Sequence, residues 1–379
     1  MQKNKSHSSI LPPQTIGIIG GGQLGRMMAI AARYMGYRII VLDPTPNCPT
    51  AQIADEQITA PYDDMNAIRE LVEKADVVTY EFENVDLEAA RYIEAKGKLP
   101  QGAYALEVTQ NREAEKTLMK ENGIPVPPFS IVRDGKECRT ALEHTSFPAV
   151  IKTCRGGYDG KGQLKLESES DIEAAVRFAE QGGTFIIEEW IDFDKEISVV
   201  FTRSQDGEIA FFPLAENVHR DHILAETYAP ANVPETVKEK ALAAAKVLAE
   251  KINVVGTFAI EMFVKGDDIY INEMAPRPHN SGHYTIESCN VSQFEQHIRA
   301  ICLLPLKKIE QHKPALMINV LGEDVGRAQK ALQRLPKASV HLYGKVEAKP
   351  KRKMGHITFI ADNFEELAAL KKAYEEDLD

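Results

Sequence analysis

Cysteine is scarce in this 379-residue sequence, and no apolar run approaches the ~20 residues that a membrane-spanning helix needs. The five cysteines, Cys48, Cys138, Cys154, Cys289 and Cys302, are odd in number, far apart and without a C-x-x-C pair. That excludes a disulfide scaffold and fits a reducing compartment, with thiols that are buried or spectators. The opening MQKNKSHSSILPPQT has no apolar core of signal-peptide length, so cytoplasmic residence is the expectation. Positive charge is in deficit as well: 45 Lys and Arg against 56 Asp and Glu give a net charge of -11. A field of that sign opposes nucleic acid and anionic membranes, so any phosphate must be met by a local basic pocket. Internal repeats and low-complexity tracts are lacking too.

What is present is the composition of a folded globular protein, 44% hydrophobic and 27% charged. The length exceeds what one core usually supports, so two or three domains are expected. TIGIIGGGQLGRMMAIAARYMGYRIIVLDP reads as strand, glycine turn, helix and strand, and its apolar runs are continuous, as in a parallel sheet covered on both faces. Helices near Met65 to Lys74 and Leu87 to Lys96 around ADVVTYEFENV extend the α/β alternation to about Thr109. A helix over Asn111 to Asn122 is stopped by GIPVPPF. The runs FPAVIKT, QLKL, TFIIEEWI and EISVVFTR, with one helix from Ser170 to Gln181, predict a small α+β lobe over 111–202. A larger lobe over 203–379 would hold the helix in PETVKEKALAAAKVLAEKI, the hairpin GTFAIEMFVKGDDIYINEMAPR, the strands MINVL and HITFIA, and the helical tail EELAALKKAYEE.

Gly20, Gly22 and Gly25 satisfy G-x-G-x-x-G between strand and helix, and Asp43 ends the next strand. Such a turn lets backbone amides and a helix N-terminus approach an anion. A dinucleotide, a substrate phosphate or a purely structural turn would each account for it.

Later motifs are more specific. Lys152 lies on a strand, and CRGGYDGKGQ places Gly156, Gly157, Gly160 and Gly162 just beyond it. Glycine frees amides to meet phosphate oxygens, and a lysine on a rigid strand adds a fixed positive charge. Downstream, Glu188, Glu189 and Glu196 follow an apolar strand; main-chain groups at Glu188 to Ile191 suit an adenine and Glu196 suits ribose hydroxyls. Glu261 and Glu273 fall on the two arms of the predicted hairpin and stand opposite each other if Val264 pairs with Tyr270. Like charges so placed destabilise a ladder. A hard divalent cation such as magnesium, bridging carboxylates to nucleotide phosphates, resolves that conflict, and no Cys or His cluster suggests zinc. Arg277 follows in NEMAPRPHNSGH, where its planar fork suits a small anion such as bicarbonate.

This order of lysine strand, glycine loop, acidic hinge and two-glutamate hairpin resembles the ATP-grasp superfamily across Asn111 to Gly282. GGGQLGRM, YEFENV, GGYDGKGQ, EEWI, NEMAPRPHNSGH and KRKMGHI resemble, within it, the 5-(carboxyamino)imidazole ribonucleotide synthases over nearly the whole chain. The resemblance implies an ATP-grasp fold of α/β and α+β character, with a Rossmann-like N-terminal domain over 1–110 and a small C-terminal β-rich region. It implies that ATP phosphorylates bicarbonate to carboxyphosphate and that the carboxyl group passes to the amine of aminoimidazole ribonucleotide. One or two magnesium ions and a homodimer are implied as well, with neither nucleic acid nor membrane as partner.

Residue by residue, the resemblance implies that ATP is held by Arg112, Lys152, Gly157, Gly160, Lys161, Gly162, Gln163, Glu188, Glu189, Trp190, Ile191, Glu196, His219, Asn272 and Glu273, with Glu261 and Glu273 on the metal. Tyr158, Asp159, Lys161 and Arg277 would surround bicarbonate and the reacting amine. Gly22, Gln23, Leu24, Glu81, Asn280, Lys345, Arg352 and Lys353 would hold the ribonucleotide. Two departures stand out: Lys161 is a point charge where some relatives have arginine, and Ala275 stands where many superfamily members put a metal-binding asparagine. The competing readings are another ATP-grasp ligase such as a formate-using glycinamide ribonucleotide transformylase, an NAD-dependent dehydrogenase, and a noncatalytic nucleotide-binding module.

Overall fold

The computed structural model describes residues 8–156 and 162–376. In chain order the N-terminal part comprises β1 (Thr15–Ile19), α1 (Gln23–Tyr34), β2 (Arg38–Leu42), β3 (Glu56–Ile58), α2 (Met65–Lys74), β4 (Val77–Tyr80), α3 (Leu87–Ala95) and α4 (Ala103–Thr109). Its sheet is parallel in the order β3-β2-β1-β4. Strand β1 beyond Thr15, β2 beyond Arg38 and all of β4 are buried, as the continuous IGII and IIVL runs lead one to expect of a covered parallel sheet. Asp64 and Asp86 cap α2 and α3 by accepting amide N–H groups of the first turn.

Next come α5 (Arg112–Glu121), β5 (Phe129–Val132), α6 (Gly135–Leu142), β6 (Ala149–Thr153), β7 (Gln163–Leu166), α7 (Ile172–Ala179) and β8 (Phe185–Glu189). Asn111 caps α5, and Gly123 at φ +68° turns the chain away before the prolines. The antiparallel sheet β5-β8-β6-β7 has its own core, built from Cys138, Leu142, Ile151, Val176 and Phe185.

The large lobe contains β9 (Lys195–Arg203), β10 (Ile209–Phe211), β11 (Ala215–Arg220), β12 (Ile223–Ala229), α8 (Glu235–Ile252), β13 (Gly256–Lys265), β14 (Asp268–Ala275), α9 (Thr285–Ser288) and α10 (Gln293–Ile301). It closes with β15 (Ala315–Leu321), α11 (Val325–Arg334), β16 (Ser339–Leu342), β17 (Lys353–Ile360) and α12 (Phe364–Glu376). One sheet runs β14-β13-β9-β11-β12-β15-β17-β16, with β10 beside β9. The expected boundary at residue 202 therefore cuts the wrong strand: β9 pairs with β13 along its whole length and belongs to the large sheet. Its apolar alternates, Ile197, Val199 and Phe201, pack with Phe258 and Ile260 under α8.

The N-terminal domain is fused to this lobe. Leu24, Met27 and Met28 of α1 share a core with Phe294, Ile298 and Ile301 of α10. No helix among the described residues is long and apolar enough to cross a membrane.

Candidate active site

The two sheets of the central region face each other across a cleft of about 680 Å3. Lys152, Gly162 and Gln163 reach it from β6 and β7, and Glu188, Glu189, Trp190 and Ile191 from β8 and the hinge beyond. Arg112, Glu196, His219, Glu261, Asn272, Glu273 and Arg277 line the facing side, joined by Asn280 and by Lys353 from the C-terminal strand. The structure thus gathers these separated residues in one chamber. Gly157, Tyr158, Asp159, Gly160 and Lys161 lie outside the described residues.

The paired carboxylates arise from an irregular ladder. The expected register is off by one, since Val264 pairs with Ile269 and Phe263 with Tyr270. A bulge between Glu261 and Met262 then makes Asn272 an extra residue on β14, and Glu261 faces Glu273 all the same. Burial first, and Glu273 second, push the Glu261 carboxyl up to about 7. Two facing carboxylates, Glu261 largely enclosed and Glu273 open to the cleft, form the oxygen-rich donor set that suits a hard dication. His279 Nε2 lies 3.4 Å from Glu261, and Arg112 Nη2 donates to Glu273 at 3.5 Å.

On the opposite wall, Glu188 is buried against two ammonium groups. Lys152 Nζ donates to its Oε2 at 2.5 Å, and Lys116 Nζ stands 3.1 Å from its Oε1. Burial opposes ionisation, but Lys116 and then Lys152 hold the carboxyl well below its ordinary range. The Glu188 carboxylate is thus taken up by the two lysines, while the residue still lines the cleft, where the sequence reading expected main-chain groups at Glu188 to Ile191 to meet an adenine. Glu189 N–H donates to Pro128 O and Trp190 N–H to Pro148 O, which makes the Ile191 amide the next main-chain donor along the hinge. The Trp190 ring faces outward under Lys165. Phe193 and Phe263, stacked at 4.7 Å, form an apolar wall of the cleft that sequence reasoning missed, as no local pattern connects them.

Glu196 and His219 touch each other in the cleft, a pairing the sequence reading did not anticipate. A register shift between Val218 and His219 turns this imidazole toward Glu196. Burial opposes its charge, but the Glu196 hydrogen bond together with the Glu261 and Glu196 carboxylates raises its pKa. Arg277 is fixed by Glu83, another residue the sequence reading passed over: Nε donates to Glu83 Oε2 at 2.6 Å and Nη1 to Pro278 O at 3.2 Å. Both amide atoms of Asn280 are buried without a partner among the described residues, and the residue lines the cleft. An orphaned amide so placed suits a polar substrate group.

The ribonucleotide residues divide. Lys345 and Arg352 lie on the loop between β16 and β17, and Lys353 opens β17; Lys345 Nζ donates to Lys353 O and Arg352 Nη1 to Glu347 O. Gln52 beside the glycine turn donates to Gly344 O at 2.8 Å, bringing that loop to α1. Glu81 does not point into the central cleft. Its buried carboxylate accepts from Gly22 N–H and from Gly25 N–H at 2.7 Å, capping α1, for which Gly22 offers no side chain. Of the first-turn donors at the glycine turn, Gln23 and Leu24 remain for a phosphate. Asp43, the candidate ribose acid of a dinucleotide site, is buried and accepts from Gly21 N–H at 2.7 Å and from Tyr62 OH at 2.6 Å. Its role is to hold the turn.

Comparison with known proteins matches three stretches of the chain to family models. Residues 13–110 match the ribonucleotide synthetase preATP-grasp domain, 117–294 the ATP-grasp domain, and 315–370 the phosphoribosylaminoimidazole carboxylase C-terminal domain. The chain is 49% identical to N5-carboxyaminoimidazole ribonucleotide synthase of Bacillus subtilis, over 94% of this chain and 93% of that protein. A solved ADP complex of an N5-carboxyaminoimidazole ribonucleotide synthetase superposes with a TM-score of 0.93 at 50% identity, covering 97% of this chain and 98% of that one. The Aspergillus clavatus synthase, solved with ADP and 5-aminoimidazole ribonucleotide, superposes at 0.89 with 33% identity over 97% and 98% of the two chains.

Proposed function

This chain belongs to the N5-carboxyaminoimidazole ribonucleotide synthase family of ATP-grasp enzymes, and we propose that it uses ATP and bicarbonate to carboxylate 5-aminoimidazole ribonucleotide in purine biosynthesis. The observation that carries this reading is the chamber itself: a phosphate-type lysine, an acidic hinge and two opposed carboxylates share one cleft with a buried arginine. Relatives solved with ADP and with 5-aminoimidazole ribonucleotide support both ligands.

In this reading the adenine lies along Phe193 and Phe263 with the Ile191 amide as donor, and Glu196 with His219 takes the ribose. Arg112 and Lys152 neutralise the phosphates. Glu261 and Glu273 would hold magnesium, whose charge would draw the triphosphate toward them and offset the negative charge developing in phosphoryl transfer. Glu83 holds Arg277 so that its free Nη2 edge meets bicarbonate while an oxygen of that anion attacks the γ-phosphorus. Carboxyphosphate and ADP result. The carboxyl carbon, as the mixed anhydride or as carbon dioxide released from it, is then attacked by the exocyclic amine, giving the carbamate and phosphate. Asn280 orients the ribonucleotide, and Lys345 and Arg352, with the Gln23 and Leu24 amides, meet its phosphate.

The decisive assay measures ADP release with aminoimidazole ribonucleotide and bicarbonate each omitted in turn. Full turnover requires both; formate-dependent turnover with glycinamide ribonucleotide, or none stimulated by either ribonucleotide, would overturn the assignment.

A further inference from the structure

Lys116 is completely buried, yet it belongs neither to the cleft lining nor to a surface ion pair. Its ammonium donates to Ile271 O at 2.9 Å and to Asn272 O at 2.8 Å and faces Glu188 Oε1 at 3.1 Å. These contacts join α5, the free edge of β14 and the β8 strand of the small lobe.

The two carbonyls are those of the bulge. β14 is the edge strand of the large sheet, so main-chain groups turned away from β13 need partners elsewhere. They find them on one short segment: Ile271 N–H donates to Pro125 O, Lys116 takes the carbonyls of Ile271 and Asn272, and Glu115 Oε1 accepts Met274 N–H at 2.7 Å. The extra residue that brings Glu273 opposite Glu261 is therefore held from outside the ladder by α5. On the other side, Glu188 shares its charge between Lys116 and Lys152. With Lys116 neutral, Lys152 would be the one ammonium left in contact with a buried carboxylate, Arg112 acting on it only through its charge, and would be held there more tightly.

We propose that Lys116 is a positioning residue that couples the register of the Glu261–Glu273 hairpin to the availability of Lys152 for nucleotide phosphates. This rests on the roles given above to Lys152 and Glu273. The coupling runs by two separable routes, hydrogen bonds to the bulge and charge on Glu188.

The test compares wild type with K116M, K116Q and K116M/E188Q. ADP affinity is titrated with a chelator present, so that the first readout needs neither metal nor turnover, and steady-state carboxylation gives the second. Removing the charge weakens ADP about tenfold, and kcat falls about a hundredfold as the bulge loses its brace. Adding E188Q restores ADP affinity, because Lys152 no longer faces an unshared carboxylate, and leaves kcat low, a split that loss of folded protein would not produce. K116Q keeps an amide in the pocket and carries the same ADP expectation should K116M not fold. Wild-type ADP affinity in the folded Lys116 variants, or no recovery in the double variant, would overturn the proposal. Failure of the carboxylase reading shows separately, as wild-type enzyme whose ATP turnover ignores the ribonucleotide.

Discussion

Arg277 and Glu83 meet at 2.6 Å although they come from different domains, Glu83 from the strand-end motif of the N-terminal sheet and Arg277 from the loop after the β13–β14 hairpin. Burial opposes the guanidinium charge, and Glu83 restores it, keeping the Arg277 pKa above its ordinary value. An arginine held by its Nε in this way presents a fixed edge to a small planar anion.

Loosening that clamp should be felt by bicarbonate before it is felt by ATP. Glu83→Gln is expected to raise the KM for bicarbonate about tenfold with the KM for ATP within twofold of wild type, since the pair contributes about 1.5 kcal/mol of orientation or more. Steady-state kinetics with each substrate varied checks it; an equal rise in both constants would dissociate Glu83 from the anion.

Glu261→Gln and Glu273→Gln should each abolish turnover, yet they differ from ordinary site damage. The Glu261 carboxyl is raised to about 7 in the fold against about 4.3 in an unfolded chain. Between those values the native state keeps a proton that the unfolded state has lost, so stability declines as pH rises and the full deficit is present above 7. Metal-free Glu261→Gln should therefore melt higher than metal-free wild type at pH 8, and at the same temperature at pH 4, as differential scanning calorimetry would show.

The ribonucleotide affinity should have an alkaline limit. Burial, and then Arg352, push Lys345 down to about 8. Its charge is complete well below that pH and is lost as pH rises through it, so the KM for aminoimidazole ribonucleotide should climb from pH 7.5 to 9. Lys345→Arg, always charged, should flatten the climb.

Acid should weaken the fold through histidines buried as neutral rings. His297 Nδ1 accepts from Thr257 N–H at 3.0 Å, so its Nε2 proton faces Thr79 Oγ1 at 2.8 Å, and burial lowers its pKa to about 3. His283 and His356, ring to ring at 4.6 Å, are lowered by burial too. The unfolded chain takes up these protons below about 6.5 and the native one does not, so stability falls with pH by about 1.4 kcal/mol per unit for each ring. Urea unfolding from pH 6.5 to 5 should show the slope, reduced by one ring's share in His297→Asn.

Much of this site is legible in the residues because phosphate and dication chemistry demands a narrow choice of side chains. Lys152 on a strand before glycines, Glu196, and the acids of the hairpin could be picked out that way. Main-chain irregularity is not legible in the same manner. The one-residue slip at Asn272 has no marker, and the pairing expected between Val264 and Tyr270 reached the right carboxylates by a register the strands do not adopt. Glu115 and Lys116 were hidden for a different reason: charged residues on a short helix default to the solvent face, and only tertiary contact reveals that both are buried. Glu81 and Glu83 sit two residues apart in YEFENV, and nothing local tells the residue that caps α1 from the one that clamps Arg277.

The shared packing of Met27 and Met28 with Phe294, Ile298 and Ile301 has a mechanical corollary. The N-terminal domain and the great sheet cannot part without exposing that apolar seam, so they travel as one block. The four-stranded lobe carries a core of its own and meets the block through α5 and the hinge after β8. A swing of that lobe alone would therefore open the cleft while the seam between α1 and α10 stayed closed.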